Sequence, residues 1–354
     1  MRLRELLRES WRDMVSGMGR SLLLFVGISS LTCCLIGFDL MQIIAIEHRV
    51  IEYRDTGSNI AMVVKEKGIN GEACMGMTRS GSVESAGALR AAGDVSLTAL
   101  PHNPIPTFEV TSEIPPIIPA RVSRGGVWVP RQMATNLGLA VGSDIATDRG
   151  ELHVAGIYAW PEDGRDARMG YAIIVPVADS GSFDECWART STSREEIASL
   201  LRYAVSYDAG LAEVQVGQLN YAKGDWVDGH RLFSTRSSRF AMPVSGLLAL
   251  LLAYGCVRRR KLELSGNLHA GCDKAAQMVQ LIVEQFVPTV MAVFVSLIGM
   301  SVVLIMSHAP EVMQLIQVAC YETLCIPVGV VLGTMFGGVT IHERDLFRYF
   351  KSRA

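Results

Sequence analysis

Four long apolar runs decide what this chain can fold into. The first, Ser21 to Ile46, reads SLLLFVGISSLTCCLIGFDLMQIIAI and carries a single charge, Asp39. Each helical residue rises about 1.5 Å, so about 20 apolar residues cross the hydrocarbon core of a bilayer; this run spans it with some tilt. It is too long for the apolar centre of a signal peptide, and no A-x-A-like cleavage site follows, so it reads as an uncleaved anchor. The other runs are Phe240–Val257, Leu281–Met306 and residues 312–340. They account for a composition of 49% hydrophobic and 19% charged residues, more apolar than ordinary soluble proteins.

Lys and Arg in short flanking segments set the orientation of such spans. Arg2, Arg4, Arg8, Arg12 and Arg20 precede the first. Arg258, Arg259, Arg260, Lys261 and Lys274 lie between the second and third. Arg344, Arg348, Lys351 and Arg353 follow the fourth, whereas the loop SHAPEVMQ between the third and fourth has neither residue. Both termini (1–20 and 341–354) and the segment 258–280 are therefore expected in the cytoplasm, and residues 47–239 on the outer face. Within 1–20, Leu3, Leu7 and Trp11, with Met14 or Met18, share one side, the pattern of a helix lying in the membrane interface.

The outer segment reads as an α+β domain. NIAMVV from Asn59 is strand-like, Asn70 to Arg79 reads as a short helix, and Asp94–Leu100 and Pro106–Thr111 read as strands, with Ser82–Arg90 ambiguous. After the Pro-rich EIPPIIPA, GVWVPRQMATNLGL reads as a strand leading into a helix, and SDIATD, ELHVAGIYAW and GYAIIVPV as antiparallel strands. Ser193 with Glu196 is a capping box opening a second clear helix, and AEVQVGQL alternates like a strand. The simplest arrangement is a four-stranded split βαβ sheet, with a β-rich unit over about 105–190 inserted between its halves. From Asn220 a helical stalk is expected to run into the second span.

Several function classes drop out. A net charge of −2 without a basic stripe argues against nucleic acid. No GxxxxGK[ST], GxSxG or HExxH occurs, and no His/Cys cluster has metal-ligand spacing. No catalytic, cofactor or metal residues are therefore expected on this chain. Of the eight cysteines, only Cys74 and Cys186 fall in the outer domain, where thiols oxidise. Cys74 would sit on the first helix of the split sheet and Cys186 just before the second, so a disulfide is expected, the alternative being two buried free thiols. Asp39, near the outer end of its span, is expected to reach the headgroups; Glu322 lies in the outer part of the fourth run. Gly329, Gly333 and Gly337 make a small-residue stripe suited to close helix packing.

One span, a large outer domain and three further spans, with RRRKLELSGNLHAGCDKAAQMVQLIVEQF after the second span, resemble the MacB/FtsX-type permeases of ABC transporters. Arg258 to Lys261 match that family's basic cluster, Glu263-Leu264 its Glu-Ile, Gly271-Cys272-Asp273 its turn and Glu284 its later Glu. Ser265 and His269 depart from its small residues. VWVPRQMATNLGLAVGSDIATDRGELHVAGIYAWP also looks like its inserted β subdomain. The resemblance implies a non-catalytic subunit of the bacterial inner membrane, in contact with membrane lipid. Its partners would be a cytoplasmic ATPase, which binds the ATP and Mg, and a second permease subunit, identical or different. Arg260, Glu263, Leu264, Leu268, Gly271 and Glu284 would form the coupling segment, with Leu262, Leu264 and Leu268 as an apolar ridge for the ATPase and Glu284 held in a hydrogen bond or salt bridge. A solvated loop without a partner is the plainer alternative for this segment. Expected cargo is a peptide, antibiotic, lipid or lipoprotein. The alternatives are activation of an outer cell-wall hydrolase, or a sensor or scaffold with no ATPase.

Overall fold

The computed structural model describes residues 8, 12, 21–111, 114, 125–207, 214–224, 226–307, 311–346 and 350. The amphipathic pattern over 1–20, the Pro-rich piece around Pro115 and the end of the tail fall largely outside these residues. The chain divides into two units, Met1–His48 with Arg231–Ala354, and Arg49–His230.

The first unit is helical. Among the described residues, four helices are long and apolar enough to cross a membrane: Ser21–Asp55, whose last residues belong to the second unit, Ser237–Arg259, Lys274–Met306 and Val312–Val339. They are called spans one to four below. Span three continues through Pro288 as one helix. Span four is instead two helices, Val312–Thr323 and Cys325–Val339. Pro327 explains the break, because it lacks an N–H and its ring crowds the carbonyl four residues back, that of Thr323. The glycine stripe lets span four lie directly on span two. A Cβ at Gly329 would collide with the carbonyl oxygen of Gly246, and one at Gly333 with that of Leu250. Leu24, Ile28 and Ile36 of span one meet Ala249 and Ala253 of span two and Ile326 and Val330 of span four in one apolar core.

Among the described residues the second unit is built on nine strands: β1 (Ile60–Asn70), β2 (Val83–Leu97), β3 (Leu100–Thr111), β4 (Val127–Pro130), β5 (Asp144–Thr147), β6 (Gly150–Tyr158), β7 (Ile173–Val177), β8 (Ser182–Thr190) and β9 (Gln215–Gln218). Among the described residues three α-helices accompany them, α1 (Gly71–Gly76), α2 (Arg131–Leu137) and α3 (Arg194–Arg202). Strands β2, β8, β1 and β9 lie side by side, all antiparallel, with α1 between β1 and β2 and α3 between β8 and β9. That is a split βαβ layer. The remaining pairings, β2–β3, β3–β7, β7–β4, β4–β6, β6–β5 and β5–β2, close on themselves into a small ring. Its core holds Leu97, Ile105, Val129, Ile145 and Val154.

The insertion therefore ends near Val177, earlier than the expected 190, and β8 is a central strand of the main layer. Strand alternation gives that layer two buried faces. Ala61, Val63, Ala86, Ala88 and Cys186 pack beneath Ile197 and Leu201 of α3, while Trp187 and Ile60 join Tyr158 and Met169 on the other face. Cys74 of α1 is disulfide-bonded to Cys186 of β8, Cα atoms 5.9 Å apart. Ser193 caps α3 by accepting from the Glu196 amide. The stalk expected from Asn220 does not form. Residues 221–224 and 226–228 are irregular, with Gly224 at a φ of 87°, and among the described residues a short helix, Gly229–Ser234, precedes span two.

Candidate functional site

Two charged clusters stand in the helical unit, where buried charge is expensive and is a mark of function by default. The first sits where spans two and three meet. Span two ends at Arg259, a short helix covers Lys261–His269, and span three starts at Lys274. Arg260, at the joint, is 8% exposed. Its Nη1 donates to Glu284 Oε2 at 2.5 Å, and Nη2 and Nε to the two oxygens of Glu263 at 2.6 and 3.1 Å. Gln280 Nε2 donates to the other oxygen of Glu284, at 3.0 Å. A guanidinium presents five donors in a rigid fork, so it can hold two carboxylates at once.

Gly271 makes the turn. The Cys272 amide donates to the Asn267 carbonyl and the Gly271 amide to that of Leu268, with Gly271 at a φ of 88°. This is a Schellman ending, in which the residue past the helix must adopt the left-handed conformation. Asp273 then caps span three by accepting from the Ala276 amide at 3.2 Å. Lys274 Nζ donates to the carbonyls of Val339 and Ile341, closing the end of span four, where the macrodipole favours a cation. The joint is thus tied to three spans.

Of the residues expected to couple to a partner, Arg260, Glu263 and Glu284 are brought together, with Leu264 beside them. Leu264 is a correction. It is buried against Val257, Leu281 and Ile341, and Gln277 Nε2 donates to its carbonyl at 2.8 Å, so the expected apolar ridge is in part an internal contact. Leu262 and Leu268 are half-buried. What the joint exposes is Glu263, Asn267, His269, Ala270, Gly271 and Asp273.

The second cluster also corrects an expectation. Asp39 does not reach outward; it is 0% exposed and accepts from Arg236, Nε at 2.9 Å and Nη2 at 3.3 Å. Arg236 Nη2 is 3.9 Å from Glu322, its Nη1 donates to the Phe233 carbonyl, and its guanidinium lies over the Phe233 ring. Glu322 Oε2 is buried with no hydrogen-bond partner among the described residues. Gln42 exchanges hydrogen bonds with Ser237 and Ser238 alongside. The entry to span two is thereby fastened to spans one and four. Arg236 was not singled out in the sequence. The available signal was two acids at the ends of apolar runs with no counter-charge, and RSSR just before Phe240. Among the described residues, no group of three His, Cys, Asp or Glu is placed to hold a metal.

Four apolar helices with a separate split βαβ unit define the chain as a multi-pass membrane protein. No family model matches it, and no curated protein does. Among solved structures it is similar to a domain of a "putative Permease protein" from Porphyromonas gingivalis, at 10% identity and a TM-score of 0.31. The match covers 51% of this chain and 99% of the other. A likeness of that degree decides neither the fold nor the activity of this chain.

Proposed function

We propose that this chain is the membrane subunit of a MacB/FtsX-like ABC system, and that it carries motion driven by a separate ATPase to its sheet unit. In this reading the two termini and the joint at 260–273 face the cytoplasm, as the basic flanks require. ATP and Mg bind the partner, and the cargo is handled on the far side of the membrane.

The observation that carries the reading is the construction of the joint. A connector with no task needs only to be soluble. This one is a capped helix with a Schellman turn, braced by Arg260 and tied to spans two, three and four. A force applied at its exposed tip would reach three spans rather than be lost in a loop. With Leu264 turned inward, the surface left for a partner is the half-buried Leu268 with the exposed Glu263, Asn267, His269 and Gly271 turn.

Substitution at that tip tests the idea. Leu268→Asp and Gly271→Val should insert and fold yet lose most of the co-purifying ATPase and most cargo-stimulated turnover. The half-buried leucine stands to contribute about 1–2 kcal/mol at such an interface. Wild-type recovery and turnover in both variants would reduce the joint to a connector.

A further inference from the structure

A groove of about 150 Å³ runs between spans one and two, lined by Leu23, Leu251, Leu252, Gly255, Cys256 and Arg259. Both helices are long and apolar enough to cross a bilayer, so the groove opens on lipid. Leu23 is near the start of span one and Arg259 is the last residue of span two. The guanidinium therefore stands at headgroup level, with the apolar lining below it. From Leu251 to Arg259 the helix rises roughly 12 Å at about 1.5 Å per residue, the reach of the upper part of an acyl chain.

The three consecutive arginines have different partners. Arg258 Nη1 is 3.4 Å from Thr340 Oγ1, and Arg260 is clamped by Glu263 and Glu284. Arg259 is exposed, with no hydrogen bond or ion pair among the described residues. The groove is open at Gly255, where a Cβ would meet nothing within 4 Å. An unpaired cation at headgroup level, above an apolar slot, complements one ligand chemistry, a phosphate ester bearing an acyl chain.

We propose that this groove is a binding site for an anionic phospholipid, with the phosphate on Arg259 and one acyl chain along Leu251, Leu252 and Gly255. The proposal rests on the membrane spans and stands whether or not an ATPase partner exists.

The test is native mass spectrometry of the full chain in detergent, titrated with phosphatidylglycerol and with phosphatidylcholine of the same acyl chains. Wild type should prefer phosphatidylglycerol about tenfold, the scale of one charge-assisted contact. Arg259→Gln should abolish the preference and Arg258→Gln should keep it. Gly255→Phe, which fills the slot, should weaken both lipids several-fold, with circular dichroism confirming that each variant is folded. The proposal is overturned if Arg259→Gln retains the wild-type preference, or if Arg258→Gln loses as much. It also fails if inorganic phosphate competes at the concentrations at which phosphatidylglycerol binds. A several-fold gain in lipid binding on deleting residues 1–19 would show that the chain's own N-terminal segment fills the groove, and would overturn it too.

Discussion

Removing the guanidinium of Arg236 would leave Asp39 and Glu322 facing each other in the bundle. Loss of one partner of a buried pair typically costs about 3–5 kcal/mol, because the remaining charge keeps its desolvation penalty. Arg236→Met should therefore lower the thermal midpoint of the detergent-purified chain sharply. Adding Asp39→Asn and Glu322→Gln to that variant should recover much of the loss. Equal midpoints for Arg236→Met and wild type would mean that the cluster is solvated and holds nothing together. This scale was the least legible in the sequence. Which way Asp39 and Leu264 face depends on residues distant in the chain, Arg236 for the one and Leu281 and Ile341 for the other. Glu284 was easier to place, because an acid inside a span close to a basic cluster has an obvious counter-charge.

Among the elements, those written by local rules were readable and those written by long-range pairing were not. The capping box at Ser193 and the apolar face of α3 announce that helix, and VWVP followed by RQMATNL announces β4 and α2. Strand β8, SFDECWART, was missed because it carries Asp184 and Glu185 where a central strand is expected to be apolar. Glu185 is tolerated there because Arg168 forks onto both its oxygens at 2.5 and 2.8 Å and Trp187 Nε1 donates to it at 2.9 Å. The closing of six strands into a ring has no local signature at all. The Cys74–Cys186 bond ties α1 to β8 across 112 residues of sequence, and closing a loop of that size contributes roughly 3–5 kcal/mol in the chain-entropy model. Reductant should lower the unfolding midpoint of the sheet unit within the full chain, read from tryptophan fluorescence, while leaving Cys74→Ala/Cys186→Ala unaffected. Identical midpoints with and without reductant would assign the cross-link no part in stability.

For the whole molecule, the reading joins four spans, a translocated sheet unit and a braced joint on the opposite side of the membrane. Its topology predicts that a membrane-impermeant thiol reagent labels Ser80→Cys in intact spheroplasts, above the background of the native cysteines, and labels Ser352→Cys only after lysis. Labelling of Ser352→Cys before lysis would invert the orientation and place the joint out of reach of any cytoplasmic ATPase. The central claim is that a separate ATPase drives this chain. Affinity purification of the tagged full chain from its native membranes, with ATP hydrolysis assayed on the eluate, tests it most directly. The account predicts a second polypeptide that carries a GxxxxGK[ST] loop, elutes in fixed ratio and hydrolyses ATP, and that is lost from the Leu268→Asp preparation. A folded chain that elutes intact from those membranes with no ATP-hydrolysing polypeptide would contradict it.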